Sequence, residues 1–146
     1  MRDLSRQLSI EQLEELFEGD TELVRRLAEQ EDPLGSARSV IDTLSEDEKL
    51  EALNAHPAIG ARKGLSARSA AEQGANADLA VLEELARLNA EYEERFGFRF
   101  VVFVNRRPKA EVLAVLRERI NRTRAEELDT AVEELVAIAE DRWRRS

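Results

Sequence analysis

The chain has 146 residues, enough for one domain with a real core; 42% of them are hydrophobic and 36% charged. A formal net charge of -9 argues against a nucleic-acid binder, because phosphate backbones demand a basic surface, and zero cysteines remove disulfides, thiolate nucleophiles and Cys-based zinc sites together. One histidine excludes a multi-His metal site within the chain, no apolar run approaches the roughly 20 residues that span a bilayer, and Met1-Arg2-Asp3-Leu4 lacks the apolar core of a signal peptide, so the chain reads as a soluble cytoplasmic protein.

Helix starts are well marked. Ser9 with Gln12, Ser45 with Glu48, and Thr123 with Glu126 each have the spacing of a capping box. After Ser9, the residues Ile10, Leu13, Leu16 and Phe17 keep a helical period, and Gly19 is expected to stop that helix. A second helix is expected over about Thr21–Glu29, with Leu23, Val24 and Leu27 on one face. Pro33 and Gly35 then break the chain, a short helix follows from Ser36 to about Thr43, and another runs from Glu46 to about Ala55. Pro57 and Gly60 end it. A proline disfavours the α conformation of the residue before it, which puts His56 at or just past the helix C-terminus. There the partial negative charge of the helix end is expected to favour an imidazolium, and the ring to project from a rigid turn.

Gly60 to Leu65 reads as a small loop rich in Gly, Arg and Lys, after which Ser66 or Ser69 caps a short helix that Gly74 interrupts. A long helix is expected over about Asn76–Phe96, with Leu79, Leu82, Leu85, Ala86, Asn89, Tyr92 and Phe96 as its stripe and Gly97 at its C-terminal cap. Phe98 to Val104 alone has strand composition, with no partner strand elsewhere, so an extended segment buried between helices is expected. Asn105-Arg106-Arg107-Pro108 opens a helix carrying Val112, Leu113, Leu116 and Ile120, and the last helix, from Thr123, carries Leu128, Val132, Leu135, Ile138 and Ala139. Together these pieces predict an all-α fold: a single compact domain over 1–146, of about seven to eight helices with one buried extended segment.

Three positions stand out chemically. His56 is the one side chain that titrates near neutrality, and it serves either as an acid/base group or as a structural helix terminator. Ser69 and Glu72, three apart, form either a capping box or a polar pair facing a pocket, where the hydroxyl donates and accepts and the carboxylate accepts from urea-like N–H groups. Arg142 extends the apolar stripe of the last helix, so it either snorkels to solvent or binds an anion in a pocket; Arg119, three after Leu116, is the competing anion ligand.

Taken in order, His56-Pro57-Ala58-Ile59-Gly60, Ser69-Ala70-Ala71-Glu72-Gln73-Gly74, Asn89 with Tyr92, and Phe96-Gly97-Phe98-Arg99-Phe100-Val101 resemble the 2-oxo-4-hydroxy-4-carboxy-5-ureidoimidazoline (OHCU) decarboxylases. The resemblance takes in Arg119 to Asn121, Glu126 and the closing helix through Ile138 and Arg142, and covers most of the chain from about Ser45 onward. Nearer the N-terminus it is poorer: family members often carry a tryptophan where Asp20-Thr21-Glu22-Leu23-Val24 stands, and the only tryptophan here is Trp143.

The resemblance implies a cofactor-independent and metal-independent carboxy-lyase acting on a small molecule in urate degradation, as a homodimer, with neither nucleic acid nor membrane as partner. It implies His56 and Glu72 as catalytic residues: His56 as the acid/base at the substrate hydroxyl, Glu72 orienting the imidazole or holding the ureido group. Pro57, Ser69, Gln73, Arg142 and the backbone at Phe100, Val102 and Val104 would bind substrate. Two further readings stay open: a lyase for a related ureido heterocycle, and a non-catalytic helical module that binds through its acidic helices.

Overall fold

The computed structural model describes residues 7–57 and 79–145. Among them are seven helices and no strand: α1 (Ile10–Phe17), α2 (Glu22–Ala28), α3 (Pro33–Asp42), α4 (Glu46–Asn54), α5 (Leu79–Phe96), α6 (Lys109–Arg119) and α7 (Arg124–Arg145). The all-α fold with its buried extended segment is as expected. None of these helices is long and apolar enough to cross a membrane.

All three capping boxes form. Ser9 Oγ accepts from the Gln12 N–H and Gln12 Oε1 accepts from the Ser9 N–H, a pattern repeated by Ser45 with Glu48 and by Thr123 with Glu126. Each satisfies two donors that a helix start leaves orphaned, and such a cap is worth about 1 kcal/mol.

Several expectations shift by a residue or a turn. At the end of α1 the left-handed position falls on Glu18, with φ 66°, and Gly19 follows it, its N–H bonding back to Glu14 O at 2.9 Å. Helix α3 starts three residues earlier than read. Pro33 sits in its first turn, where a missing N–H costs nothing, and the Asp32 carboxylate accepts from the Gly35 N–H at 3.1 Å. A Cβ on Gly35 would lie 2.1 Å from that carboxylate, so the glycine that looks like a breaker is what lets the cap close. In α5 the stripe is Leu85, Leu88, Asn89, Tyr92 and Phe96; Leu79 is 61% exposed, and Ala86 falls one residue, about 100° of arc, off the buried line.

Helix α7 organises the molecule, packing on α1, α3 and α4, while α2 packs on α1, α3 and α4 and α5 packs on α6. Its buried line runs through Glu127, Ala131, Leu135, Val136, Ile138, Ala139, Arg142 and Trp143. Leu128 and Val132 are only partly buried. The line starts on a glutamate, which hides its phase from a hydrophobic pattern.

That glutamate is the hub of a buried network. Glu127 Oε1 accepts from Tyr92 Oη at 2.6 Å and Arg119 Nε at 2.8 Å, and Oε2 accepts from Arg122 at 3.0 Å. Burial and the Glu127 carboxylate push the Tyr92 hydroxyl pKa well above its ordinary value. Arg119 also donates to Val101 O at 2.8 Å and lies 4.7 Å over the Phe100 ring. Tyr92 meets Phe96, Phe98 and Phe100 edge-on at centroid distances of 4.6, 5.9 and 5.2 Å, which seats the segment from Phe98 to Val104 between α5 and α7.

Removing Glu127 leaves the buried Arg119 guanidinium without its carboxylate. Glu127→Ala is expected to destabilise the fold by about 3–5 kcal/mol in urea unfolding, and Tyr92→Phe by about 1.5–3 kcal/mol. A loss below about 1 kcal/mol for Glu127→Ala would remove the network from the account of stability.

Candidate active site around His56

Helix α4 ends at Asn54, Ala55 caps it, and His56 comes next, its N–H bonded to Leu53 O at 3.3 Å, as the proline after it requires. What fixes this end is Arg99, from the extended segment. Its Nη1 donates to His56 O at 2.5 Å and to Asn54 O at 3.3 Å, its backbone N–H donates to Asn54 Oδ1 at 2.9 Å, and its Nε pairs with Glu93 at 3.0 Å. One guanidinium thus takes up carbonyls that a helix C-terminus leaves open. Neither Arg99 nor Asn54 was singled out from the sequence; the available signal was an arginine set between two buried phenylalanines. A cavity of about 320 Å³ is lined by Asn54, Glu93, Gly97, Phe98 and Arg99, none of them a sequence-predicted site residue.

The His56 ring does not project into solvent: the residue is 5% exposed. Burial, then the Arg142 and Arg99 cations, lower its pKa from 6.5 to about 4 against the opposing pull of Glu18. The expected imidazolium is therefore overturned. The α4 carbonyls that would have favoured it are already answered by a cation, and burial penalises the charged ring. His56 is neutral at pH 7, and its buried Nε2 has no hydrogen-bond partner among the described residues.

Arg142 does not snorkel. It is 3% exposed, donates from Nη1 to Leu16 O at 3.1 Å, and pairs through Nη2 with Glu18 at 3.0 Å. Of the two arginines left open as anion ligand, Arg119 is bonded to Glu127 and Val101 O with its buried Nη2 unpartnered among the described residues, and Arg142, bonded to Leu16 O and Glu18, acts electrostatically on His56. Glu18 is a third residue that the sequence did not flag, since nothing local distinguishes it from the glutamates of α1 that precede it.

Pro57 is half-buried beside His56. The side chains of Phe100, Val102 and Val104 are buried in the core, so any contact they make with a ligand runs through the backbone. The carbonyls of Val101, Phe103 and Val104 are engaged by Arg119 and Arg107. The backbone groups of Phe100 and Val102 have no hydrogen-bond partner among the described residues, and in an extended chain these alternate residues present their N–H and C=O along one edge. Ser69, Glu72 and Gln73, with the loop from Gly60 to Leu65, lie outside the described residues.

A neutral, buried imidazole with a buried arginine acting on it is a pair suited to an anionic small molecule. Known proteins give the same indication. Residues 2–144 match the family model for OHCU decarboxylase. The chain is 37% identical over 115 residues to the 2-oxo-4-hydroxy-4-carboxy-5-ureidoimidazoline decarboxylase of Haloferax volcanii, covering 75% of this chain and 68% of that protein. It is 34% identical over 125 residues to the enzyme of the same name from Amia calva, covering 80% and 71%. A crystal structure of OHCU decarboxylase in the presence of (S)-allantoin superposes with a TM-score of 0.75 at 26% identity, over 92% of this chain and 96% of that one. Fold and sequence converge, and this chain belongs to the OHCU decarboxylase family.

Proposed function

We propose that this chain catalyses the cofactor-independent decarboxylation of 2-oxo-4-hydroxy-4-carboxy-5-ureidoimidazoline to (S)-allantoin in urate degradation, as a cytoplasmic homodimer whose 1–146 form one helical domain. The buried, neutral His56 with the Arg142 cation acting on it carries this reading. The substrate supplies its own electron sink. When the C–C bond to the carboxylate breaks and CO2 leaves, the electron pair delocalises into the adjacent C=N, and a proton later restores the carbon. Positioning and proton transfer remain for the protein.

In this reading the neutral imidazole of His56 is the acid/base at the substrate hydroxyl, aimed by Pro57 and by the Arg99 hold on its carbonyl. Arg142 binds a substrate carbonyl or carboxylate. A bound carboxylate brings negative charge to a site whose cations hold the imidazole pKa down, so substrate entry itself makes His56 a stronger base. Glu72 orients the imidazole or holds the ureido N–H groups, Ser69 and Gln73 hydrogen-bond the ring or ureido group, and the backbone of Phe100, Val102 and Val104 meets the heterocycle.

The test couples the purified protein to substrate made freshly from urate by urate oxidase and hydroxyisourate hydrolase, and follows (S)-allantoin by circular dichroism. His56→Asn is expected to lower kcat by about 10²–10⁴-fold with the helical fold intact. A variant retaining most of its activity would overturn the assigned mechanism, and a wild-type trace matching the enzyme-free control would overturn the substrate.

The same residue sets a pH dependence of stability. The folded-state pKa of His56 lies near 4, below its ordinary 6.5, so between these values the unfolded chain binds the extra proton. Stability therefore rises with pH across this window and falls as pH drops through it, by about 3 kcal/mol in total. The carboxylates titrate alike in wild type and His56→Asn, so the difference between their urea-unfolding free energies isolates the effect. Parallel curves from pH 7 to pH 4 would show that His56 is not buried in its neutral form.

A further inference from the structure

The end of α1 is built in an unusual way. A left-handed residue there is ordinarily glycine, and a glycine does stand in the next position; yet the strained conformation is taken by Glu18, at φ 66°. A side chain in this region costs conformational energy, which the surroundings must offset. The return is visible. From this position the Glu18 carboxylate, only 11% exposed, pairs with Arg142 Nη2 at 3.0 Å, while the last turn of α1 offers Leu16 O to Nη1 at 3.1 Å. Two contacts from one helix end thus hold a guanidinium carried by α7. The same carboxylate is the one anion among the described charges acting on His56; the others are Arg142 from α7 and Arg99 from the extended segment.

We propose that Glu18 is a positioning residue for the decarboxylation, holding the Arg142 guanidinium in place beside His56 and offsetting its charge there. This rests on the reading of His56 and Arg142 given above. It carries two consequences. Glu18 competes with an anionic substrate for Arg142, so the site binds that substrate less tightly than an unpaired arginine would. It also supports the basicity of His56 against two cations. Removing its charge therefore strengthens ground-state binding and weakens the base, which separates KM from kcat in a way that a merely structural ion pair does not.

The experiment compares wild type with E18Q, which keeps shape and removes charge, by steady-state kinetics in the coupled assay and by histidine-selective NMR titration. The titration reads His56 alone, because the chain has one histidine. E18Q is expected to lower KM several-fold, lower kcat about tenfold, and move the His56 titration midpoint to lower pH. A drop in kcat with KM and the midpoint unchanged would reduce Glu18 to a structural ion pair and overturn the proposal. Should E18Q fold poorly, E18D keeps the charge but shortens the reach; a lower kcat with the midpoint held supports positioning, and wild-type kinetics overturn it. If wild type itself does not turn over the substrate, the reading of the site fails, whereas the titration still decides whether Glu18 acts on His56.

Discussion

A buried extended chain with no partner strand among the described residues is the constraint on which this structure rests. In a sheet, neighbouring strands would satisfy the backbone from Phe98 to Val104; here helices surround it, and helices have no free backbone groups along their sides. Side chains do the work instead. Arg119 reaches Val101 O, Arg107 reaches Phe103 O and Val104 O, and Asn54 accepts from the Arg99 N–H. Arginine suits this role because its guanidinium has five donors on a long stem. Each buried guanidinium in turn needs a carboxylate, which is why Glu127 sits in the core of α7 and Glu93 beside Arg99.

That satisfaction is incomplete among the described residues: Phe100 and Val102 keep open backbone groups, the His56 ring keeps an open Nε2 on a turn tied to the same segment by Arg99, and Arg119 keeps an open Nη2. Buried polar groups without partners are costly, so a ligand that answers one gains by binding. The electrostatics agree. Among the described residues, two cations and one anion act on a neutral imidazole, which is poised for an incoming negative charge to alter it.

Much of this was legible because it is local. Capping boxes at Ser9, Ser45 and Thr123, the Gly97 cap with φ 79°, the extended character of Phe98 to Val104, and the place of His56 after α4 all follow from residues within a turn of one another. What was not legible depends on distant partners. The left-handed Glu18 follows from its ion pair with Arg142; the neutral state of His56 depends on burial and on arginines from two other elements. The phase of α7 was misread at its start because its first buried residue is a glutamate, which becomes sensible only once Tyr92 and Arg119 are seen to bind it. Arg119 and Arg142 look alike in the sequence for the same reason: both extend an apolar stripe, and the partners of each lie far along the chain or on another element.

The bond from Arg142 to Leu16 spans 126 positions. A ribosome adding about 5–20 residues per second needs roughly 6–25 s to make that stretch. Throughout that interval the nascent chain holds a finished α1 whose last carbonyls and acidic side chain await a cation not yet translated. The helices α1 to α4 can dock on one another, but the slot that α7 fills stays open, its apolar walls exposed to whatever else the cell offers. Closing so long a loop is also slow in refolding, since nonlocal contacts reward the chain only after its entropy has been surrendered. The surroundings of Arg142 are therefore among the last regions to become native, and the emerging polypeptide cannot assemble them until α7 arrives.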